Sequence, residues 1–430
     1  MRFLKTILLV VMMAMTATHD SAALTLEECQ RLAANNYPLL KKYDLINQTT
    51  NYTLKNIERR YLPQLALSGQ ASYQSAVSKF PDAMLDLLEG YGYSYEGLKK
   101  DQYKIQLDIS QVIWDGGNLK AQKETTNAEG KVQTAQTDID MYAIRERVNE
   151  LFFGILLLEE QIQLNDDLQK LLGDNCRKLE SRLANGTAMK SDVDVMKAEL
   201  LKAQQDLIAL LSMKKSYQQM LAIFIGKEES SVSDLQKPDA YMPESLTSHR
   251  PELDLFTAQM EETDAQLKLL NTNIRPQLSL FAQGYYGYPG YDMFSDMRKR
   301  EFSLNGIIGI KVTWNIGNFY TRKNDMRKLE LAKKQVETTQ EVFLFNTELE
   351  TTQERQTIEQ YRQMMIDDNR IIELRTNVRR TAEAKLEHGV IDVNDLLQEI
   401  SRENQARLEY SSHEVEMLRN IYALRNTINQ

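Results

Sequence analysis

The stretch Pro63-Gln64-Leu65-Ala66-Leu67-Ser68-Gly69-Gln70-Ala71-Ser72-Tyr73 sets Leu65, Leu67, Gly69, Ala71 and Tyr73 against Gln64, Ala66, Ser68, Gln70 and Ser72. Successive side chains of a strand point to opposite faces, so this alternation predicts a strand with one apolar and one polar face. Pro63 fixes its start, because the residue before a proline is pushed out of helical geometry. After Pro276 the pattern returns, with Leu278, Leu280, Ala282, Gly284, Tyr286 and Tyr288 on one parity. Two more runs complete the set. Tyr103, Ile105, Leu107 and Ile109 alternate with Lys104, Gln106, Asp108 and Ser110, and a parity slip before Val112 and Trp114 reads as a bulge. Phe302, Leu304, Ile308, Ile310, Val312 and Trp314 form the last. The expected strands are 63–75, 103–114, 276–288 and 302–314, each about long enough to cross a bilayer when tilted.

Backbone groups in lipid must all be paired, so a sheet there has to close on itself, which takes at least about eight strands. Four strands per chain therefore demand an oligomer. Trp114 and Trp314 fall at the helix-side ends of their strands, while Tyr91, Tyr93, Tyr95, Tyr285, Tyr286, Tyr288 and Tyr291 gather at or beyond the opposite ends. Two aromatic girdles are what two membrane surfaces select, which makes the tryptophans candidate membrane-interface anchors. The competing reading is a pair of half-buried hairpins in a soluble α+β protein, where the aromatics only pack.

Working outward, the chain is written twice. Pro38 and Pro63 are 25 residues apart, as are Pro251 and Pro276. Gln111-Val112-Ile113-Trp114-Asp115-Gly116-Gly117-Asn118 matches Lys311-Val312-Thr313-Trp314-Asn315-Ile316-Gly317-Asn318, and Leu183-Ala184-Asn185-Gly186 matches Leu386-Glu387-His388-Gly389. The expected repeats are 24–226 and 245–430, with 227–244, holding Pro238 and Pro243, as the junction. Proline is absent between Pro81 and Pro238 and after Pro289. Asn118 to Leu183 thus predicts one helix of about 100 Å at 1.5 Å per residue. Its Met141, Ile144, Val148, Leu151, Ile155, Leu158 and Ile162 keep the spacing of a helix-packing seam, which Met196, Leu200, Ala203, Leu207 and Leu210 repeat on the way back. Gly116-Gly117-Asn118 and Gly317-Asn318 free the backbone after each strand pair and offer an Asn as the expected cap of the outgoing helix.

Residues 1–23 read as an export signal: Arg2 and Lys5, an apolar run from Thr6 to Ala17, then Ala22 and Ala23. Cys29 follows Thr-Leu-Glu-Glu and reads as a plain helix position, and a single bridge to Cys176 stays open because export implies an oxidising compartment. No later stretch is long and apolar enough for a spanning helix. A net charge of −9 without a basic block argues against nucleic acid. The four histidines, His19, His249, His388 and His413, are scattered, and no HExxH, CxxC, GxSxG or phosphate-loop pattern is present. Neither catalysis nor a metal or cofactor site is expected.

In this order and spacing, the two halves, the proline-led strands, the Trp114-Asp115-Gly116-Gly117 turn and the glycine-to-aspartate tips Gly186 to Asp192 and Gly389 to Asp395 resemble the TolC-type outer-membrane efflux protein family over nearly the whole mature chain. The resemblance implies a mainly α protein with membrane β structure. Tandem long α-helical hairpins would form a trimeric α-barrel reaching into the periplasm, joined to a shared twelve-stranded transmembrane β-barrel with four strands per protomer. It implies a homotrimer in outer-membrane lipid, serving as a passive conduit for efflux or secretion with a periplasmic adaptor and an inner-membrane transporter. Asn185, Gly186, Thr187, His388, Gly389 and Val390 would be adaptor-docking tips, and Asp192 and Asp395 the periplasmic gate. Two departures stand out: the family's second-tip arginine is Ile391 here, and an acid is replaced by Gln398. Lys190 or Lys385 is then the candidate counter-charge, while Ser191 and Asn394 are the expected N-caps. A periplasmic coiled-coil adaptor or scaffold is the alternative function, although adaptors carry one helical hairpin between lipoyl-like segments. Cargo, pump type and adaptor identity are not legible.

Overall fold

The computed structural model describes residues 23–430, so the expected signal segment, Ala23 apart, lies outside the described residues. Two compact units form, one from the described residues up to Tyr43 with Gln136–Leu253 and Gln340–Gln430, the other from Asp44–Ala135 and Asp254–Thr339. In chain order the elements are α1 (Leu26–Asn36), a short 3-10 turn, α2 (Lys41–Arg59), β1 (Gln64–Tyr73), α3 (Asp82–Gly90), β2 (Asp101–Trp114), α4 (Asn118–Ala184) and α5 (Lys190–Ile225). After the junction come α6 (Pro251–Thr272), β3 (Gln277–Tyr288), α7 (Met293–Lys299), β4 (Ser303–Thr313), α8 (Asn318–Glu387) and α9 (Val393–Ile428). Among the described residues, no helix is long and apolar enough to cross a membrane.

The sheet unit holds one antiparallel sheet in the order β1-β2-β3-β4. Register follows the sequence parity. Gly69, Ile105, Tyr286 and Leu304 lie in one row, and Leu65, Ile109, Ala282 and Ile308 in another. These rows make a continuous apolar face, and it is bare: Leu67 is 75% exposed and Leu304 82%. The opposite face carries Ser68, Gln106, Tyr285 and Asn305 in one row and Ala66, Asp108, Gln283 and Ile307 in the next. The bulge falls between Val112 and Trp114, after Val112 and not before it as the parity slip predicts.

At the turn into α4 the structure corrects the expected cap. Asp115 does that work, accepting from the backbone N–H of Gly117 at 2.9 Å and of Leu119 at 2.5 Å. Asn118 instead reaches the Thr272 hydroxyl, and Asn318 the Asn273 carbonyl, tying each outgoing helix to α6. Gly116 has φ 70°, and a Cβ there would stand 2.7 Å from that of Arg275, so only glycine fits. The loops joining β1 to β2 and β3 to β4 are ordered together, which the sequence did not disclose. Leu98, Tyr288 and Met297 form a small core, Phe80 packs on Tyr95 and Phe294, and Arg300 pairs with Glu96.

In the hairpin unit, α1 packs Leu26, Cys29 and Ala33 against Val148, Phe152, Phe153 and Ile155 of α4, Leu221 and Ile225 of α5, and Leu418, Ile421 and Leu424 of α9. The junction returns to the chain start, with Leu24 and Leu235 forming a parallel bridge. Both cysteines are free and lie in different apolar clusters, and burial pushes the Cys29 thiol up to about 12, as an inert core residue.

Candidate functional site

Two features of this fold can act on something outside it: the hairpin tips and the two-faced sheet. Both tips are built alike. At the end of α4 the N–H of Thr187 donates to the Arg182 carbonyl and that of Gly186 to Leu183, with Gly186 at φ 75°. At the end of α8 Val390 donates to Lys385 and Gly389 to Leu386, with Gly389 at φ 72°. This double bond pattern with a left-handed glycine is the Schellman ending, which satisfies the last carbonyls of a helix. It leaves Asn185, Gly186, Thr187, His388, Gly389 and Val390 all exposed.

The returning helices start differently from expectation. Met189 and Asp392 occupy the N-cap positions, not Ser191 and Asn394. Asp192 sits one turn in and accepts from the Met189 N–H at 3.0 Å. Asp395 accepts from Asp392 N–H at 3.4 Å, while Asp392 accepts from Asp395 N–H at 2.9 Å, a reciprocal capping box. Both expected gate residues therefore have a backbone partner, and each is an acid at the positive end of a helix.

Nothing among the described residues pairs Lys190 or Lys385 with these aspartates. The cation that organises the tips is Arg182, whose guanidinium donates to the Leu386 carbonyl at 2.8 Å and to the Thr187 carbonyl at 3.3 Å. It thus holds the first tip to the end of α8, beside an ion pair between Lys178 and Glu387 at 3.4 Å. Behind it Leu172, Cys176, Leu179, Val193, Met196, Leu386, Leu396 and Ile400 form a four-helix apolar core. Sequence reading missed Arg182. Its signal was the repeat itself, since Leu183 matches Leu386 and so Arg182 stands where the second tip has Lys385.

Further along the second hairpin, Glu403 is buried at 5% exposure. Arg407 donates to it at 2.8 Å and Thr376 at 2.9 Å, and Arg379 bonds both Glu403 and Glu383. Burial acts to raise this carboxyl, but the bonds from Arg407, Arg379 and Thr376 outweigh it and hold Glu403 below the usual carboxylate range.

On the sheet, Trp114 and Trp314 are half exposed at the helix-side ends, and the Trp314 indole donates to the Ile274 carbonyl at 2.9 Å. β1 pairs only with β2 and β4 only with β3, so both outer strands keep an unpaired edge. An exposed strand edge is a template for another chain. On the polar face Asp108 is held by Gln106 at 2.8 Å and Gln283 at 2.7 Å.

Residues 31–227 match the model of the outer membrane efflux protein family. No curated protein matches the chain by sequence. Among solved structures the chain is similar to the outer membrane protein VceC of Vibrio cholerae, at 13% identity over 94% of this chain and 95% of that one, with a TM-score of 0.66. It is similar to the CmeC outer membrane channel of Campylobacter jejuni, at 13% identity, 94% and 85% coverage and a TM-score of 0.65. A third likeness is to the open state of the MtrE outer membrane channel of Neisseria gonorrhoeae, at 13% identity, 94% and 88% coverage and a TM-score of 0.63. Residues 31–227 thus match the outer membrane efflux protein model, and over 94% of the chain the fold is that of solved outer-membrane channels.

Proposed function

We propose that three copies of the chain close their sheets edge to edge into one twelve-stranded barrel in the outer membrane. The assembly is a passive export conduit that receives its cargo from an inner-membrane transporter through a periplasmic adaptor. What carries this reading is the sheet: four strands with two open edges and one bare apolar face cannot be stable in lipid or water as a single copy. Closure pairs the edges, puts the face of Leu67 and Leu304 against lipid and turns the Asp108 face inward. Trp114 and Trp314 then sit at one membrane surface as anchors. The work of transport belongs to the pump, and no chemical step is assigned to this chain. The mature protein in mild detergent is expected to be a trimer by light scattering with detergent mass subtracted. A monodisperse monomer would sink the architecture.

The exposed tips are the surface for the adaptor. Replacing Thr187 and Val390 with arginine should abolish export while trimer and surface level stay intact, because both residues are exposed and Thr187 gives up only a hydroxyl bond to the Arg182 carbonyl. Unchanged export would restrict the tip glycines to their role in the backbone.

Threefold assembly also brings rings of Asp192 and Asp395 near one axis at the periplasmic mouth. Like charges so arranged attract cations in addition to capping their helices. In planar bilayers the parent is expected to favour cations and to be blocked by trivalent cations from the periplasmic side, and the Asp192→Asn, Asp395→Asn double variant to lose both properties. Asparagine is chosen because its side-chain oxygen preserves a cap acceptor. Retention of selectivity and block would leave these aspartates as caps alone.

A further inference from the structure

The polar face of the sheet carries few charges: Lys104, Asp108 and Lys311 are its only acidic or basic side chains by strand parity. Asp108 has its carboxylate held by the Gln106 and Gln283 amides, as described above. Among the described residues, the ammonium of Lys104 has no carboxylate within ion-pair reach. Its neighbour is the ring of Tyr285, whose centroid is 6.0 Å away. Across from Lys104 lies Gly287, where a Cβ would stand 2.7 Å from that of Lys104, so no side chain on β3 covers the lysine at that row.

The ring beside it is fixed in place. Tyr285 donates its hydroxyl to the Pro289 carbonyl at 3.0 Å and meets Tyr291 edge to face at 5.3 Å. Tyr291 is in turn pinned by its backbone N–H to the Asn305 side chain at 2.7 Å, yet its side chain is 52% exposed. The exposed Tyr291 ring, backed by the buried Tyr285, therefore stands on one wall with an ammonium that acts on Asp108 only at a distance, that carboxylate being bonded by the two amides.

We propose that Lys104, Tyr285 and Tyr291 form a contact site for anionic aromatic compounds on the inner wall of the barrel. The inward placement rests on the conduit reading above, whereas the cluster itself lies within one chain. An aryl carboxylate meets both requirements at once: its charge pairs with Lys104, and its ring lies against the exposed tyrosine. An organic cation meets the ring but is repelled by the ammonium. Lys104 is only half-buried and Tyr291 is exposed, so the contact is weak and salt-sensitive, which suits a wall that must release what passes. The cargo class implied is the amphiphilic aromatic acid.

The test is saturation-transfer NMR on the detergent-solubilised mature protein at low salt, with naphthoate as the probe. Naphthoate should bind, and cyclohexanecarboxylate about threefold or more weakly, the size of one aromatic contact. Naphthylmethylammonium should not compete. Lys104→Gln is expected to weaken naphthoate binding about two- to fivefold. Lys104→Arg should keep it, and Tyr291→Ala should weaken it about threefold. Absence of parent binding, an unchanged Lys104→Gln variant, or equal binding of the cation would each overturn the site. A protein that binds naphthoate in this pattern but is monomeric and forms no pore would overturn the conduit reading and leave the site standing.

Discussion

Removing the Glu403 carboxylate is expected to be among the most damaging single changes in the hairpin unit. Glu403 and the Arg379 side chain are 6% and 12% exposed, and Arg379 divides its bonds between Glu403 and Glu383. Truncating one partner of a buried pair leaves the other charged and poorly solvated, at a cost of about 3–5 kcal/mol. Glu403→Ala should therefore lower the unfolding free energy obtained from urea titration by that much, while Glu403→Ala combined with Arg379→Met should recover a large part of it. The pH dependence adds a second signature. A carboxyl held below its ordinary value contributes stability that is present above the unfolded value of 4.5 and is lost as pH falls through the lower folded value. The difference between parent and Glu403→Ala should accordingly narrow under acid conditions. If Glu403→Ala unfolds at the parent's midpoint at neutral pH, the network contributes nothing to holding α8 on α9.

How much of this was legible beforehand depends on the range of the interaction. Alternation in Leu65 to Tyr73 was sufficient for β1, because a strand's two faces are written at period two and no distant residue is needed to read them. The tip glycines were equally plain, since positive φ at a helix end has few residue solutions. Caps were read in the right places with the wrong residues. Asp115 belongs to the turn motif and Asn118 stands at the expected cap, yet a carboxylate three residues ahead of the helix start reaches two N–H groups that the Asn cannot. Sequence preference ranks asparagine and aspartate alike at this position, so only backbone geometry separates them.

Arg182 and Glu403 were missed for a different reason. Both act across elements far apart in the chain, Arg182 on Leu386 and Glu403 on Thr376 and Arg379, and charged residues on a long polar-surfaced helix look alike in one sequence. The repeats offered a partial remedy. Positions where the two halves differ in charge or donor geometry, as at Arg182 against Lys385, are where the symmetric plan has been put to separate uses. A guanidinium can bond two carbonyls at fixed angles and an ammonium presents no such planar fork, so the tie between the tips belongs to the first repeat alone. The loop core of Leu98, Tyr288 and Met297 was illegible because neither loop has periodicity. Its order comes from packing one loop on the other.

Glu354 carries the last expected result, a pH dependence of opposite sign to that of Glu403. It lies on α8, with one carboxyl oxygen accepting from Thr427 at 2.9 Å and the other buried without a partner. Burial pushes this carboxyl up to about 7. The Thr427 bond and Arg250 act against that rise, and Glu350 and Glu146 reinforce it. Arg250 is itself engaged by Glu252, which limits what it does for Glu354. A raised folded value means the native state holds a proton that the unfolded chain has released, so stability is greatest below 4.5 and declines as pH rises towards about 7. At about 1.4 kcal/mol per pH unit the full interval comes to about 3 kcal/mol, and partial exposure reduces it to about 2. Glu354→Gln keeps an acceptor for Thr427 and offers a donor where the buried oxygen now has none, without a charge to desolvate. The variant should match the parent near pH 4 and exceed it by about 2 kcal/mol at pH 8, read from urea midpoints at the two values. Parallel pH profiles for parent and variant would show that Glu354 titrates as an ordinary solvated acid and that its burial costs the fold nothing.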